Sequence, residues 1–128
     1  MNYTDLYIDG KWCTGKSGER FDIINPATEQ VITSVASAEI ADADVALDAA
    51  EAAMKDWASQ TPRSRSEVLR KVWELMTAQL EHFANLITLE NGKARADAMG
   101  EAIYAAEFFR WFSEEAVRAD GIITHAPA

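Results

Sequence analysis

Hydrophobic and polar residues along this chain follow two rhythms, and the change from one to the other falls near residue 40. Before it, apolar residues come in short β-type runs: LYIDGKW from Leu6, FDIIN from Phe21 and VITSVA from Val31. The runs are separated by GKSGER and by Pro26, Ala27, Thr28, Glu29 and Gln30, both rich in turn formers. The economical reading is a β-hairpin followed by a third strand. From about Ala41 the period lengthens. Val45, Ala49, Ala53 and Trp57 recur at helical spacing, while Asp44, Asp48, Glu51 and Lys55 fall elsewhere on the circumference. A second helix starts at Thr61, a good N-cap with Pro62 at the first helical position, and carries a stripe of Val68, Val72, Leu75, Met76 and Leu80. The stripe resumes through Phe83, Leu86, Ile87 and Leu89 and stops at Asn91-Gly92, a C-terminal signal. A third helix is expected from about Arg95 to Asp120, closed by Gly121, with Met99, Ile103, Ala106, Phe109 or Arg110, and Trp111 or Phe112 inside. The last seven residues, IITHAPA, begin like another strand.

Three strands, three helices and the start of a fourth strand read as an opening rather than a finished fold. The second and third helices are too apolar for so small a sheet to cover. The division expected is residues 1–36 as hairpin and strand and 37–121 as helical segment, with no internal repeat and no flexible linker. Composition adds exclusions. At 128 residues with 48% hydrophobic and 26% charged residues, the chain has the profile of an ordinary globular domain. It could bury roughly two-thirds of its unfolded surface alone. The net charge of −9 disfavours nucleic acid and anionic membrane, both of which call for a basic footprint. The acid is uneven, with 11 Asp and Glu against 4 Lys and Arg in residues 1–60, and 10 against 8 in the remainder. Cys13 is the one cysteine, so neither an internal disulfide nor a cysteine zinc site is available. With no leader-like start and no long apolar run, a reducing, cytoplasmic setting is expected.

The most eye-catching motif is GKWCTGKS, Gly10 to Ser17, which fits the phosphate-loop pattern of Gly, four residues, Gly, Lys, Ser. A phosphate loop needs a strand entering and a helix leaving, so that backbone N–H groups and the helix dipole converge on the anion. LYID can supply the strand. After Ser17, however, the chain meets Gly18, a short β-type run and then Asn25-Pro26, leaving no room for a helix. The better reading is a connection between two antiparallel strands, with Gly15 and Gly18 in turn conformations and Lys16 and Ser17 in water. Other chemistry is sparse. The two imidazoles, His82 and His125, are far apart in sequence and read as surface or helix-end residues. The acid pairs Glu114/Glu115 and Asp42/Asp44 read as solvated faces, and Cys13 as an incidental thiol without a neighbouring base. No Gly-x-Gly-x-x-Gly follows any strand. No catalytic and no cofactor-binding residue is therefore assigned within the chain.

The order of segments nevertheless has a recognisable character. LYIDGKW, FDIINPATEQVITSVA, the alanine-rich helix ending in Trp57, TPRSRSEVLRKVWELM and LITLENGKARADAMGEAIYAAEFFRWFSEEA together resemble the N-terminal part of the aldehyde dehydrogenase superfamily. The run from LENGKA to RWFSEEA is most similar to the semialdehyde dehydrogenases acting on succinate semialdehyde or α-ketoglutarate semialdehyde. The resemblance implies an α+β fragment of an α/β enzyme, residues 1–128 forming part of its dinucleotide-binding domain. It implies oxidation of a small aldehyde to an acid with NAD or NADP through a thiohemiacetal and a thioester, with the nucleophilic cysteine, the glutamate base and the dinucleotide loop all downstream. The chain alone is then expected to be inactive and to bind no cofactor, Cys13 not being the nucleophile. Its partners would be the remainder of the polypeptide or a second copy, in a homo-oligomer. The GKWCTGKSGERFDIINPAT stretch would be a β-hairpin near the sheet edge that holds no phosphate. Two site assignments carry over: Tyr104 and Phe108 on the third helix as part of the aldehyde channel, and the Ile24 carbonyl with Glu90 beside a monovalent cation. The competing classes are a stand-alone helical interaction module and a phosphate-loop nucleotide binder.

Overall fold

The computed structural model describes residues 4–119 and 121, so His125, Asp120 and the strand expected at IITHAPA lie outside the described residues. The element order is β1 (Leu6–Ile8), β2 (Lys11–Cys13), β3 (Arg20–Ile24), β4 (Val31–Ala36), α1 (Ile40–Ser59), α2 (Pro62–Thr77), α3 (Leu80–Asn91) and α4 (Arg95–Glu115). Antiparallel strands followed by helices are as the sequence suggested, but the segmentation is finer. LYIDGKW is not one strand. Asp9 and Gly10 both take positive φ, 51° and 73°, folding it into a β1–β2 hairpin with Tyr7 opposite Trp12. Two successive left-handed residues of type Asp-Gly make the turn whose twist suits a two-residue hairpin. β3 pairs instead with β4, from Arg20 opposite Ala36 to Ile24 opposite Val31, with a register shift between Ile23 and Ile24. The GKSGER stretch is thus a link between two separate hairpins, not a hairpin turn, and the expected third strand is the fourth.

The chain forms two compact units, one of residues up to Ser59 with Asn85–Ala94, the other of Gln60–Ala84 with the residues from Arg95 onward. In the first, the β3–β4 connection is ordered by Asn25. Its N–H donates to the Gln30 carbonyl at 2.9 Å, its side-chain oxygen accepts from Ala27 N–H at 2.9 Å, and its carbonyl accepts from Glu29 N–H at 2.8 Å. Glu29 sits at φ 59° to close the turn. Arg20 clamps the chain start to this hairpin. Its guanidinium donates to Asp5 Oδ1 (2.7 Å), Thr4 Oγ1 (2.7 Å) and the Ser34 carbonyl (2.8 Å). The stripe expected on α1 is not buried: Val45, Ala53 and Trp57 are exposed, and the buried α1 residue is Asp42.

In the second unit, α2 begins as expected, with Thr61 Oγ1 accepting from Ser64 N–H at 3.1 Å, a cap worth about 1 kcal/mol. The continuous second helix is broken at Ala78-Gln79, where Ala78 N–H still reaches the Glu74 carbonyl but Gln79 N–H turns to Met76, so the expected three helices are four. The apolar pattern runs through the break because both helices keep an apolar side. α4 corrects the sequence reading most. Its buried positions are Ala98, Ala102, Ala106 and Ser113, whereas Ile103, Trp111 and Phe112 are exposed. Small residues at this spacing let α4 approach α2 closely, and Ser66 Oγ donates to the Ser113 carbonyl at 2.6 Å across the seam. Bulk placed there would separate the helices.

Two glycines give opposite expectations. A Cβ on Gly92, which takes φ +76°, would lie 2.9 Å from Pro26 Cγ, so Gly92→Ala should lower stability by about 1 kcal/mol or more in a denaturant titration. Gly100, inside α4 with nothing within 4 Å of a built Cβ, should gain about 0.5–1 kcal/mol as Gly100→Ala.

Candidate functional site

The groups with chemistry lie on three separate features. The first is the exposed face of α4. Tyr104 and Phe108, one turn apart, meet edge to face with ring centroids 4.9 Å apart, and both are exposed rather than core. With Glu107, Trp111 and Phe112 they line an open groove of about 320 Å3. The seam dictates this arrangement: once Ala98, Ala102 and Ala106 face α2, the aromatic positions fall on the free side of the helix. The groove is apolar apart from its acid. Arg110 donates to Glu107 at 2.8 Å and to Glu114 at 3.3 Å. The hydrogen bond from Arg110, aided by its charge and opposed by partial desolvation, holds the Glu107 carboxyl below the usual carboxylate range. Glu107 raises the Arg110 guanidinium in turn. The acids here are thus part of a guanidinium network, Glu115 pairing with Arg118 at 2.6 Å.

The second feature joins the end of α3 to the Asn25–Gln30 turn. Gly92, just past α3, packs against Pro26, which follows the β3 residue Ile24 by two positions. Glu90 is exposed in the last turn of α3, and the Ile24 side chain is half exposed beside the register shift. The two expected cation residues therefore belong to adjoining features of one unit. Among the described residues no cluster of three or more His, Cys, Asp or Glu could hold a metal ion by itself.

The third is the loop of the phosphate-like motif. Gly15 and Gly18 take positive φ, +82° and +69°, and Lys16 and Ser17 are exposed, as the turn reading expected. Asp42 is the residue sequence reasoning misread: it is no solvated acid but 5% exposed, accepting from Lys16 N–H and Glu39 N–H, each at 3.0 Å. Only the Glu39 contact is local, an acid in the first turn reaching back to the N–H just before α1; Lys16 lies 26 residues away in sequence. Cys13 is exposed and lines a cavity of about 350 Å3 with Lys11, Lys16 and Asp42. His82 is exposed near the start of α3, its ring 5.8 Å from Phe83.

The comparisons say what kind of protein these features come from. Residues 12–128 match the aldehyde dehydrogenase family. The chain belongs to that family. It is 42% identical over 115 residues to the succinate-semialdehyde dehydrogenase [NADP(+)] of Saccharomyces cerevisiae, covering 90% of this chain and 23% of that protein. It is 41% identical over 123 residues to the glutarate-semialdehyde dehydrogenase of Pseudomonas putida, covering 94% of this chain and 26% of that protein. A crystal structure of an aldehyde dehydrogenase from Brucella melitensis biovar abortus superposes with a TM-score of 0.94 at 37% identity, covering 98% of this chain and 26% of that one. The chain thus spans about a quarter of the length of the relatives it matches. The strand-and-helix arrangement is that of the N-terminal part of an aldehyde dehydrogenase. Among the described residues, no helix is long and apolar enough to cross a membrane.

The Glu107 network has a titration signature. A carboxyl held low in the folded state adds stability above its unfolded value, near pH 4.3, and that contribution is lost as pH falls through the lower folded midpoint. An NMR titration of Glu107 should find its midpoint below the ordinary value. Arg110→Gln should move it up toward that value, and an unmoved midpoint would show that Arg110 is not the cause.

Proposed function

We propose that these residues are the N-terminal segment of an NAD- or NADP-dependent dehydrogenase that oxidises a small semialdehyde, succinate semialdehyde being the first candidate, to its acid. The observation that supports it most is the match over residues 12–128 together with relatives named for succinate and glutarate semialdehyde. On this reading the segment belongs to the dinucleotide-binding domain, and the cysteine nucleophile, the glutamate base and the dinucleotide loop lie beyond it. Residues 1–128 by themselves would then turn over no aldehyde. The full enzyme would be a cytoplasmic homo-oligomer.

Within that enzyme, Tyr104 and Phe108 form part of the wall along which the aldehyde reaches the reacting centre. Their rings meet edge to face, exposed and in mostly apolar surroundings, which suits guiding a short carbon chain while leaving its polar ends to other residues. The Ile24 carbonyl and Glu90 flank a monovalent cation that ties the β3 end to the α3 end. The helical interaction module is less favoured, because a family match over nearly the whole chain accounts for the exposed faces without it. The nucleotide-binder reading is disfavoured by the Lys16 amide, which already donates to Asp42.

The test is turnover by the intact polypeptide carrying this segment, followed through reduced nicotinamide, with succinate semialdehyde and glutarate semialdehyde compared. Reduction of NAD or NADP with at least one of them is expected, and failure with both would remove the enzyme assignment. The double variant Tyr104→Ala, Phe108→Ala should raise KM for the aldehyde by about tenfold or more with a smaller change in kcat. An unchanged KM would take these residues out of the channel. Glu90→Gln should abolish any difference in Tm between potassium and a bulky organic cation, and a retained difference would place the cation elsewhere.

A further inference from the structure

The GKWCTGKS loop has the sequence of a phosphate cradle and holds a carboxylate from its own chain. Gly15, at φ +82°, turns the backbone so that Lys16 N–H points inward, and that N–H donates to Asp42 Oδ1 at 3.0 Å. The other carboxylate oxygen accepts from Glu39 N–H, also at 3.0 Å, at the first turn of α1. Two backbone donors from segments 23 residues apart therefore converge on one anion that is 5% exposed. The fit is close. A Cβ on Gly15 would lie 3.3 Å from Asp42 Oδ2 and from the Ser37 carbonyl, crowding the acid, and φ +82° disfavours a side chain there as well. A cavity of about 350 Å3 lined by Asp9, Lys11, Gly15, Lys16 and Asp42 adjoins this point.

We infer that Asp42 is a built-in anion: its carboxylate fills the cradle that the Gly15–Ser17 loop and the α1 start would otherwise offer to a phosphate or carboxylate, and so pins the loop to the helix and closes it to ligands. Convergent N–H groups with an inward turn attract an anion of either kind, and a tethered carboxylate is present at high effective concentration. Asp42 is a positioning residue, with no part in turnover. The assignment does not depend on the dehydrogenase reading.

Amide hydrogen exchange in the intact polypeptide tests it residue by residue. In Asp42→Ala the Lys16 and Glu39 amides should exchange about tenfold faster or more, while strand amides such as Val35 keep their rates. Added formate should slow both amides again and raise Tm, and sodium chloride at equal ionic strength should do neither. If Asp42→Ala does not fold, Asp42→Asn serves, since the amide side chain has one acceptor oxygen where the carboxylate has two. One of the two N–H groups should then lose protection and the other keep it. Undiminished protection of both amides in either variant, or equal effects of formate and chloride on Asp42→Ala, would overturn the inference.

Discussion

Small side chains at the α2–α4 seam constrain everything else in the helical unit. Ala98, Ala102, Ala106 and Ser113 give α4 a narrow face, and the Ser66 hydroxyl can then reach a main-chain carbonyl on the neighbouring helix. A helix has only one circumference. Committing its narrow face to the seam sends Tyr104, Phe108, Trp111 and Phe112 to the outside, where they form the groove. The candidate channel wall is thus a by-product of close helix packing. Changes at the seam should alter it without touching an aromatic residue.

Much of the fold could be read from the residues, and the failures have physical causes. Thr61-Pro62 and Asn91-Gly92 marked true helix ends because capping is a local interaction, settled within a turn of the chain. The Ala78-Gln79 break was invisible because neither residue is a helix breaker and the apolar stripe passes through it. LYIDGKW misled by its alternation, although Asp9-Gly10 is a strong turn signal. On α4 the expected inside positions pair Ala106, which is buried, with the large Ile103 and Trp111 or Phe112, which are exposed. Among the described residues no large side chain is fully buried, so size is no guide to which face of α4 is covered.

For the candidate site, the aromatic pair was found by spacing and by family resemblance, and the structure adds that its rings touch. Ile24 and Glu90 were placed by resemblance alone, and the Gly92 contact with Pro26 is the physical link between their elements. Asp42 escaped because acids on an alanine-rich helix are usually hydrated, and its partner Lys16 lies 26 residues away, beyond the reach of local pattern. The same distance explains why the loop motif looked like a ligand site. A sequence shows the donors of a cradle plainly but not which acceptor has claimed them.

The abutment of Gly92 on Pro26 bears on where this segment can accept change. Hairpin connections usually absorb insertions because they end in water, but the Asn25–Gln30 turn ends against another stretch of backbone. Lengthening it would move Pro26, whose ring lies where a side chain at position 92 would begin, and the disturbance would arrive at the exit of α3 more than sixty positions later in the chain. Homologues that vary this turn should vary the residues after α3 in step with it.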